Sequence, residues 1–313
     1  MKKFFLVALA TATVLATAMP ANAALTTALP DGEVLWVMPV GHPVPGEFRS
    51  LDPATGEFSD VFVGTSTVSS DSWIVGADYD PATDSVYWIK DFGDPTESIV
   101  RYNVSDNVET VFQVIDATDY DIRGIDVTDG VLRISAYLMS NGNAAVATVT
   151  LDDAAETATL GTVRDLGGNV NQGAIAIDPT TDDLYLMTYE CQVYRVNGDD
   201  TLTSIDFLDN YLTVTSDCIA LDFDSSGRAW ATTGETGRTA SFVPADISGS
   251  IEASEWSQPS WSIYGEAIFI KGVAAPVDNN ALASTGFDAS SLAPFALAIL
   301  GAGAIVVARR RKA

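Results

Sequence analysis

Aspartates stand at equivalent positions in three similar apolar segments of the chain: Asp78, Asp126 and Asp222. A fourth copy of the segment has Ala176 at this position. Carboxylates that converge in a folded protein are costly unless a cation or hydrogen-bond donors compensate their charge. Oxygen-only ligands favour Ca²⁺, so one hypothesis is a calcium site formed by the three aspartates. The alternative is that each carboxylate accepts backbone N–H groups from a neighbouring segment.

Residues for other common catalytic devices are scarce. His42 is the sole histidine, so a Ser-His-Asp device could use only this residue, and the chain has no Gly-x-Ser-x-Gly segment. Zinc centres built on His and Cys are nearly excluded by the same composition. Carboxylate pairs of the glycosidase type are too numerous in this acidic chain for one to be singled out. We therefore assign no catalytic residue.

A repeat of four strands positions the aspartates. An apolar strand, a turn of Asp, Thr or Gly, and a second apolar strand recur at residues 75–89, 124–134, 173–187 and 218–231, and a second hairpin follows each time. The first turns, at Asp80, Thr128, Asp178 and Asp224, are 48, 50 and 46 residues apart. Two hairpins per period of this length predict a β-propeller with one blade per repeat.

The two ends of the repeat region predict how the propeller closes. The first repeat begins at VLWVMPV (34–40) without an innermost strand, whereas YGEAIFIKG (264–272) is a strand without a following hairpin. We therefore expect an all-β, five-bladed propeller over residues 34–272, closed by pairing Gly265–Ile270 with the segment near Trp36. Six blades are the alternative if residues 25–33 or 248–261 contain further strands. Residues 24–33 are a lead-in, and 273–281 a short linker.

The only two cysteines, Cys191 and Cys218, fall at one end of the predicted propeller. Cys191 lies where a second strand of blade four enters its loop, and Cys218 begins the first strand of blade five. These positions lie at the same end of antiparallel blades, and the signal peptide predicted over residues 1–23 would export the chain to oxidising conditions. We therefore predict a disulfide between them.

The same end of the predicted propeller carries the loops that enter innermost strands and those that join second to third strands. Ligands of propellers usually meet loops of this kind. Ligand-face candidates, chosen by position, are His42, Trp73, Asp91, Arg123, Gln172, Tyr189, Asp217, Glu235 and Tyr264.

Both chain ends have the composition of targeting segments. Lys2 and Lys3 precede an apolar stretch that ends near Ala-Asn-Ala at 21–23, which predicts a secretory signal peptide over residues 1–23. An apolar run within 287–313 is long enough to cross a bilayer as a helix, and the Arg-Arg-Arg-Lys that follows it predicts that this end stays cytoplasmic.

The C-terminal order of pentapeptide, apolar span and basic tail resembles the cell-wall sorting signal of Gram-positive bacteria. The pentapeptide is Leu282, Ala283, Ser284, Thr285 and Gly286, an LAxTG form of the LPxTG signal. The resemblance implies that a sortase cuts between Thr285 and Gly286 and joins the Thr285 carbonyl to a peptidoglycan amine. It also implies an extracellular protein of the cell wall with a membrane-anchored precursor.

Charge narrows the range of partners. Without residues 1–23 and 286–313 the chain keeps 10 basic and 41 acidic residues, a formal charge of −31. Such a surface repels phosphate backbones, so nucleic acid is not an expected partner. We expect a binding, adhesion or surface-display module for an extracellular glycan or protein. The alternative is a wall-tethered hydrolase or lyase that acts at the propeller mouth.

Overall fold

The computed structural model describes residues 27–40, 47–64, 74–90, 97–168, 172–211, 218–233, 237–256 and 264–272. The predicted signal peptide, linker, sortase pentapeptide and apolar tail lie outside these ranges. The chain divides into two compact parts, Met1–Val273 and Ala274–Ala313, and every described residue belongs to the first part. None of the described helices is long and apolar enough to cross a membrane.

The described residues form an all-β protein. Unit one contains β1 (Val34–Val40), β2 (Glu47–Asp52), β3 (Glu57–Gly64) and the last strand, β21 (Tyr264–Lys271). Unit two contains β4 (Ile74–Asp80), β5 (Ser85–Lys90), β6 (Ser98–Asn103) and β7 (Val108–Ile115). Unit three contains β8 (Tyr120–Thr128), β9 (Val131–Leu138), β10 (Ala144–Asp152), β11 (Thr157–Leu160) and the short β12 (Arg164–Asp165).

Two further units complete the described strands. Unit four contains β13 (Gln172–Ile177), β14 (Leu184–Thr188), β15 (Gln192–Val196) and β16 (Leu202–Phe207). Unit five contains β17 (Cys218–Phe223), β18 (Ala229–Thr233), β19 (Arg238–Phe242) and β20 (Glu252–Glu255), with the short helix α1 (Ile247–Ser250) between its last two strands. Within each unit neighbouring strands pair antiparallel, and in units two to five they do so in chain order, with β12 added beside β10 in unit three.

Unit one is assembled from both ends of the described chain. Its strand order is β21-β1-β2-β3, and β21 pairs antiparallel with β1 so that Trp36 lies opposite Phe269. The predicted pairing of Gly265–Ile270 with the segment near Trp36 is therefore present. Phe48 and Phe269 are fully buried and pack edge to face, with ring centroids 5.0 Å apart. This aromatic packing stabilises the junction of the two chain ends.

Asp side chains shape the first turn of several units. Asp80 accepts hydrogen bonds from the Ala82 N–H (2.9 Å) and the Thr83 hydroxyl (2.7 Å). Asp178 bonds the Thr180 N–H and hydroxyl in the same way. These aspartates act as the turn formers of the repeat, because a short side-chain acceptor can satisfy the backbone N–H two residues further along.

Units two and three share one sheet, which the repeat did not predict. Their outermost strands β7 and β11 pair in parallel, with Gln113 opposite Thr157, and this gives a nine-stranded sheet that also includes β12. The pairing satisfies backbone groups that would otherwise form two exposed sheet edges.

Candidate functional site

The strands define two ends of the ring of units. The exit end carries the turns between first and second strands, and the described chain leaves it at Gly272, after β21. The mouth end carries the starts of the innermost strands β21, β4, β8, β13 and β17 and the connections from second to third strands. Arg123 lies near the start of β8 and Tyr189 follows β14, so both are at the mouth end.

Other ligand-face candidates are described in part or not at all. Gln172 and Tyr264 begin β13 and β21, again at the mouth end, but only their backbone is described. His42, Trp73, Asp91, Asp217 and Glu235 lie outside the described residues. The candidate site that can be built from side chains is therefore the one around Arg123 and Tyr189.

A β-bulge sets the direction of Arg123. The pairing of β8 with β9 shifts between Ile122 and Gly124, which leaves Arg123 without a partner position in the ladder. The Ile122 N–H donates to the carboxylate of Glu97, 3.2 Å away, and Glu97 is itself 2% exposed. Bulges re-aim a side chain relative to the regular strand, so this one turns Arg123 out of the alternating pattern.

Every innermost strand has a similar irregularity near the mouth end. Register shifts fall between Val75 and Ala77, Gln172 and Ala174, and Cys218 and Ala220, and also where β21 pairs with β1. In β4 and β13 the residue at the bulge is a glycine, whereas in β8 it is Arg123. In unit three, the register shift that recurs in the innermost strands therefore carries a long cationic side chain.

Arg123, Asp121 and Tyr189 form one cluster. The Arg123 guanidinium makes an ion pair with Asp121 and donates a hydrogen bond to the Tyr189 hydroxyl over 3.1 Å. The guanidinium carbon Cζ of Arg123 also lies 5.5 Å from the centroid of the Tyr189 ring, within range of a cation–π contact. The side chains of Arg123 and Asp121 are 17% and 15% exposed. The result is a partly desolvated planar donor group between a carboxylate and a phenol.

Tyr189 is held by the disulfide region of units four and five. Cys191 and Cys218 are joined, with a Cα–Cα distance of 4.9 Å and both residues fully buried. The predicted disulfide is therefore confirmed. The Cys218 N–H donates to the Tyr189 carbonyl over 2.9 Å, so the start of β17 holds the loop that carries the phenol.

The three aspartates of the repeat lie on innermost strands and bond to neighbouring units. Asp78 accepts the Tyr79 N–H (2.7 Å) with one oxygen and the Val127 N–H of unit three (2.5 Å) with the other. Asp222 likewise accepts the Phe223 N–H (2.7 Å) and the Ile270 N–H of unit one (2.6 Å).

Asp126 completes the pattern. It accepts the Ile177 N–H of unit four over 2.9 Å and forms an ion pair with Arg133, 3.4 Å away. The three carboxylates together accept the equivalent N–H of all five innermost strands: Tyr79, Val127, Ile177, Phe223 and Ile270. Three aspartates thus serve five units, because Asp78 and Asp222 each bond both their own strand and the next one.

Burial dominates the electrostatics of this aspartate ring. Desolvation raises the pKa of Asp78 well above its ordinary value, and the nearby charges of Asp222 and Asp126 raise it further. Desolvation likewise raises the pKa of Asp222 well above the ordinary value. Burial also raises the pKa of Asp126, although the Arg133 charge opposes this effect.

These contacts correspond to the hydrogen-bonding alternative for the aspartates. Asp78 and Asp222 direct both oxygens at backbone N–H groups. Within the part of the chain that the structure describes, no group of three or more His, Cys, Asp or Glu side chains has an arrangement suited to a metal ion. The calcium site stays a prediction.

Sequence reasoning missed Asp121 and Glu97. The signal available for Asp121 was its position two residues before Arg123 on the same strand, which gives a charge pair. Glu97 had no such signal, because its carboxylate reaches Ile122 from a connection 25 residues earlier in the chain.

No family model matches the chain, and no curated protein matches it. Solved structures with a similar fold include a chain of a nidogen/laminin complex (12% identity over 78% of this chain and 100% of that one, TM-score 0.47). They also include the calcium-binding protein regucalcin from Agrobacterium tumefaciens (14% identity, 67% and 85% covered, TM-score 0.38). A third is virginiamycin B lyase from Staphylococcus aureus (13% identity, 74% and 69% covered, TM-score 0.35).

At these identities and scores nothing about ligand or activity carries over to this chain. The class of protein follows from the strand pairing within it. The meanders arranged in sequence, with the first completed by the last strand, define an all-β, propeller-like protein.

Proposed function

We propose that this protein is a five-bladed propeller, anchored to the cell wall, that binds an extracellular glycan or protein at its mouth end. The blade count is supported by one contact at each of five consecutive junctions. These are Lys271–Asp84, Asp78–Val127, Asp126–Ile177, Cys191–Cys218 and Asp222–Ile270. Between residues 27 and 272, each stretch that the structure does not describe is at most nine residues long. Such a length is too short for the four strands of a sixth blade.

The cluster of Arg123, Asp121 and Tyr189 is the observation that carries the binding function. An arginine offers several donors in a fixed plane, and beside it a carboxylate offers acceptors and a phenol offers both. Such a set can bond the paired hydroxyls of a sugar or the polar groups of a protein loop. Because the exported chain has a formal charge of −31, a neutral or weakly charged ligand is favoured over a polyanion.

Wall attachment rests on the sorting-signal resemblance at residues 282–286, with sortase and peptidoglycan as partners through Thr285. The confirmed disulfide supports an oxidising destination, since such bonds persist mainly outside the cytoplasm. The described chain leaves the ring at Gly272, at the end opposite Arg123. A linker that follows Gly272 therefore starts at the exit end and not among the mouth loops.

The binding proposal is tested with the soluble segment 24–281 on arrays of glycans and matrix proteins. We expect a hit whose affinity falls when Arg123 is replaced by Met, because the substitution removes the planar donor and keeps much of the side chain. Arg195→Met is the matched control, since Arg195 is 44% exposed and pairs with Asp183 away from the mouth end. Equal effects of the two substitutions would contradict a site at Arg123.

The alternative activity has its own readout. Turnover of a polysaccharide or lactone panel by the same segment, without retention on the arrays, would favour a tethered hydrolase or lyase over a binding module. The anchoring proposal is tested separately in the producing cell. Thr285→Ala should move the protein out of the covalently bound wall fraction, and unchanged wall attachment would refute the role of Thr285.

A further inference from the structure

A groove of about 420 Å³ lies at the exit end of unit one, away from the mouth. One wall is the lead-in and the start of β1, including Leu29 and Val34, and the other is the hairpin of β2 and β3. Its volume is within the range of small-ligand sites, at the lower end. The groove is independent of the binding function proposed for Arg123.

The lead-in wall is fixed by contacts to unit five. The Thr27 N–H donates to the Glu252 carboxylate over 2.9 Å, and the Ser225 N–H donates to Glu33 over 3.1 Å. Both bonds join residues about 200 positions apart in the sequence, so the lead-in is tied across the ring closure. The groove is thus preformed, which reduces the entropy cost of binding there.

A β-bulge shapes the opposite wall. Leu51 pairs with Phe58 and Arg49 pairs with Val61, so that Ser50 faces two residues, Ser59 and Asp60. The Ser50 hydroxyl lies 2.7 Å from the Ser59 hydroxyl and accepts the Asp60 N–H over 3.0 Å. The bulge thus places both Ser59 and Asp60 opposite Ser50, and all three residues line the groove.

The groove combines apolar walls with acidic groups. Glu33, Asp52 and Asp60 line it, and none of its lining residues is Lys or Arg. Two of these carboxylates already accept hydrogen bonds: Asp52 from the Ala54 N–H and the Thr55 hydroxyl of its own turn, and Glu33 from the Ser225 N–H. Asp60 is exposed, and among the described contacts its carboxylate accepts no hydrogen bond from the protein. Leu29, Val34, Leu51 and Pro53 supply the apolar surface.

We propose that this groove binds a ligand that carries a primary ammonium group on a short apolar chain. The ammonium would donate hydrogen bonds to the exposed Asp60 carboxylate, and the apolar chain would cover Val34 and Leu29. An anionic ligand would meet the same carboxylates unfavourably. Charge complementarity and apolar surface therefore select one class of ligand together.

Hexylammonium is the probe, and hexanoate of the same chain length is its control. Titrated into the segment 24–281, which contains every described contact, hexylammonium should shift the NMR amide signals of residues 27–35 and 50–60, and hexanoate should not. Asp60→Asn should weaken hexylammonium binding by about two- to five-fold, the effect expected of one exposed charge pair. Val34→Thr, which keeps the branched shape of the side chain, should also weaken it.

Asp106→Asn makes the same charge change on the turn between β6 and β7, outside the groove, and should leave the affinity unchanged. Three results would overturn the proposal. The first is the absence of saturable shifts at 27–35 and 50–60. The second is an equal response to hexanoate, which would mean an apolar groove without charge selection. The third is an equal loss in Asp60→Asn and Asp106→Asn, which would mean general attraction to an acidic surface.

Discussion

Removal of the disulfide between Cys191 and Cys218 tests how much one covalent junction contributes to the ring. The double substitution Cys191→Ala with Cys218→Ala deletes the bond without burying new hydroxyl groups or leaving a reactive thiol. Both cysteines are fully buried, so the change affects the interior and not the surface. Alanine is the smallest replacement that keeps a side chain at each position.

The expected loss follows from the length of the loop that the bond closes. The two cysteines are 27 residues apart. In the chain-entropy relation, a cross-link over this separation restricts the unfolded chain by about 3.5 kcal/mol at 25 °C. Loss of packing around two buried sulfur atoms adds to this value, because large-to-small changes leave a cavity. We therefore expect the free energy of unfolding to fall by about 3–5 kcal/mol.

Urea denaturation of the segment 24–281 measures the loss. The double variant should unfold at lower urea with a steeper dependence on urea concentration, because the uncrosslinked unfolded chain exposes more surface. Each single alanine variant already breaks the whole bond, so either one should lose nearly as much as the double variant. Small losses of below about 1 kcal/mol that add across the two single variants would refute the assignment.

Three further outcomes are expected. Gly173→Ala should lower the free energy of unfolding by about 1–3 kcal/mol, because an added Cβ would lie 2.5 Å from the Cys218 carbonyl oxygen. The control Gly198→Ala should be nearly neutral in the same urea assay, because an added Cβ there meets no atom within 4 Å. The raised pKa values of Asp78 and Asp222 mean that their contribution to stability is fully present below the unfolded pKa of about 4 and is lost as pH rises through the folded values. The stability of Asp222→Asn relative to the parent should therefore increase between pH 4 and pH 7, and a constant difference would contradict these shifts. Because the oxygens of Asp222 accept N–H groups, the change in Tm between calcium and chelator should be the same in Asp222→Asn and the parent, and a response lost in the variant would instead support the calcium site.

The parts of the fold that repeat in the sequence could be predicted from it. Period-two apolar strands and aspartate turns gave the meanders, and the unpaired strand near Phe269 predicted the pairing with Trp36. These features depend on local patterns and on the need of each sheet to cover its faces. The link of Cys191 to Cys218 followed from the same geometry.

Features that depend on the join between units could not be predicted in the same way. Among the described strands, a parallel pairing such as that of Gln113 with Thr157 occurs at one junction, so no repeated pattern indicates it. The groove beside Asp60 needs the lead-in to cross from unit five to unit one, which involves side-chain bonds over long sequence distances.

The candidate site contains features that the sequence predicts and features that it does not. Arg123 and Tyr189 could be assigned to one end of the ring, because strand direction alone fixes that end. Their contact with each other and with Asp121 depends on a bulge in β8, and the alternating pattern of a strand gives no indication of a bulge at that residue. For the aspartates, the sequence left two alternatives, a calcium site and hydrogen bonds to backbone N–H groups. The second could be described only once the positions of the neighbouring N–H groups were known.

The closed ring is the claim on which the mouth, the exit end and the groove all depend, and amide hydrogen exchange tests it most directly. β21 bonds to β1 along its length and also lies against Asp222 through the Ile270 N–H. We predict that the amides of β21 exchange as slowly as those of β1 and only through global unfolding. Rapid exchange of β21 while the strands of units two to five stay protected would mean that the ring is open.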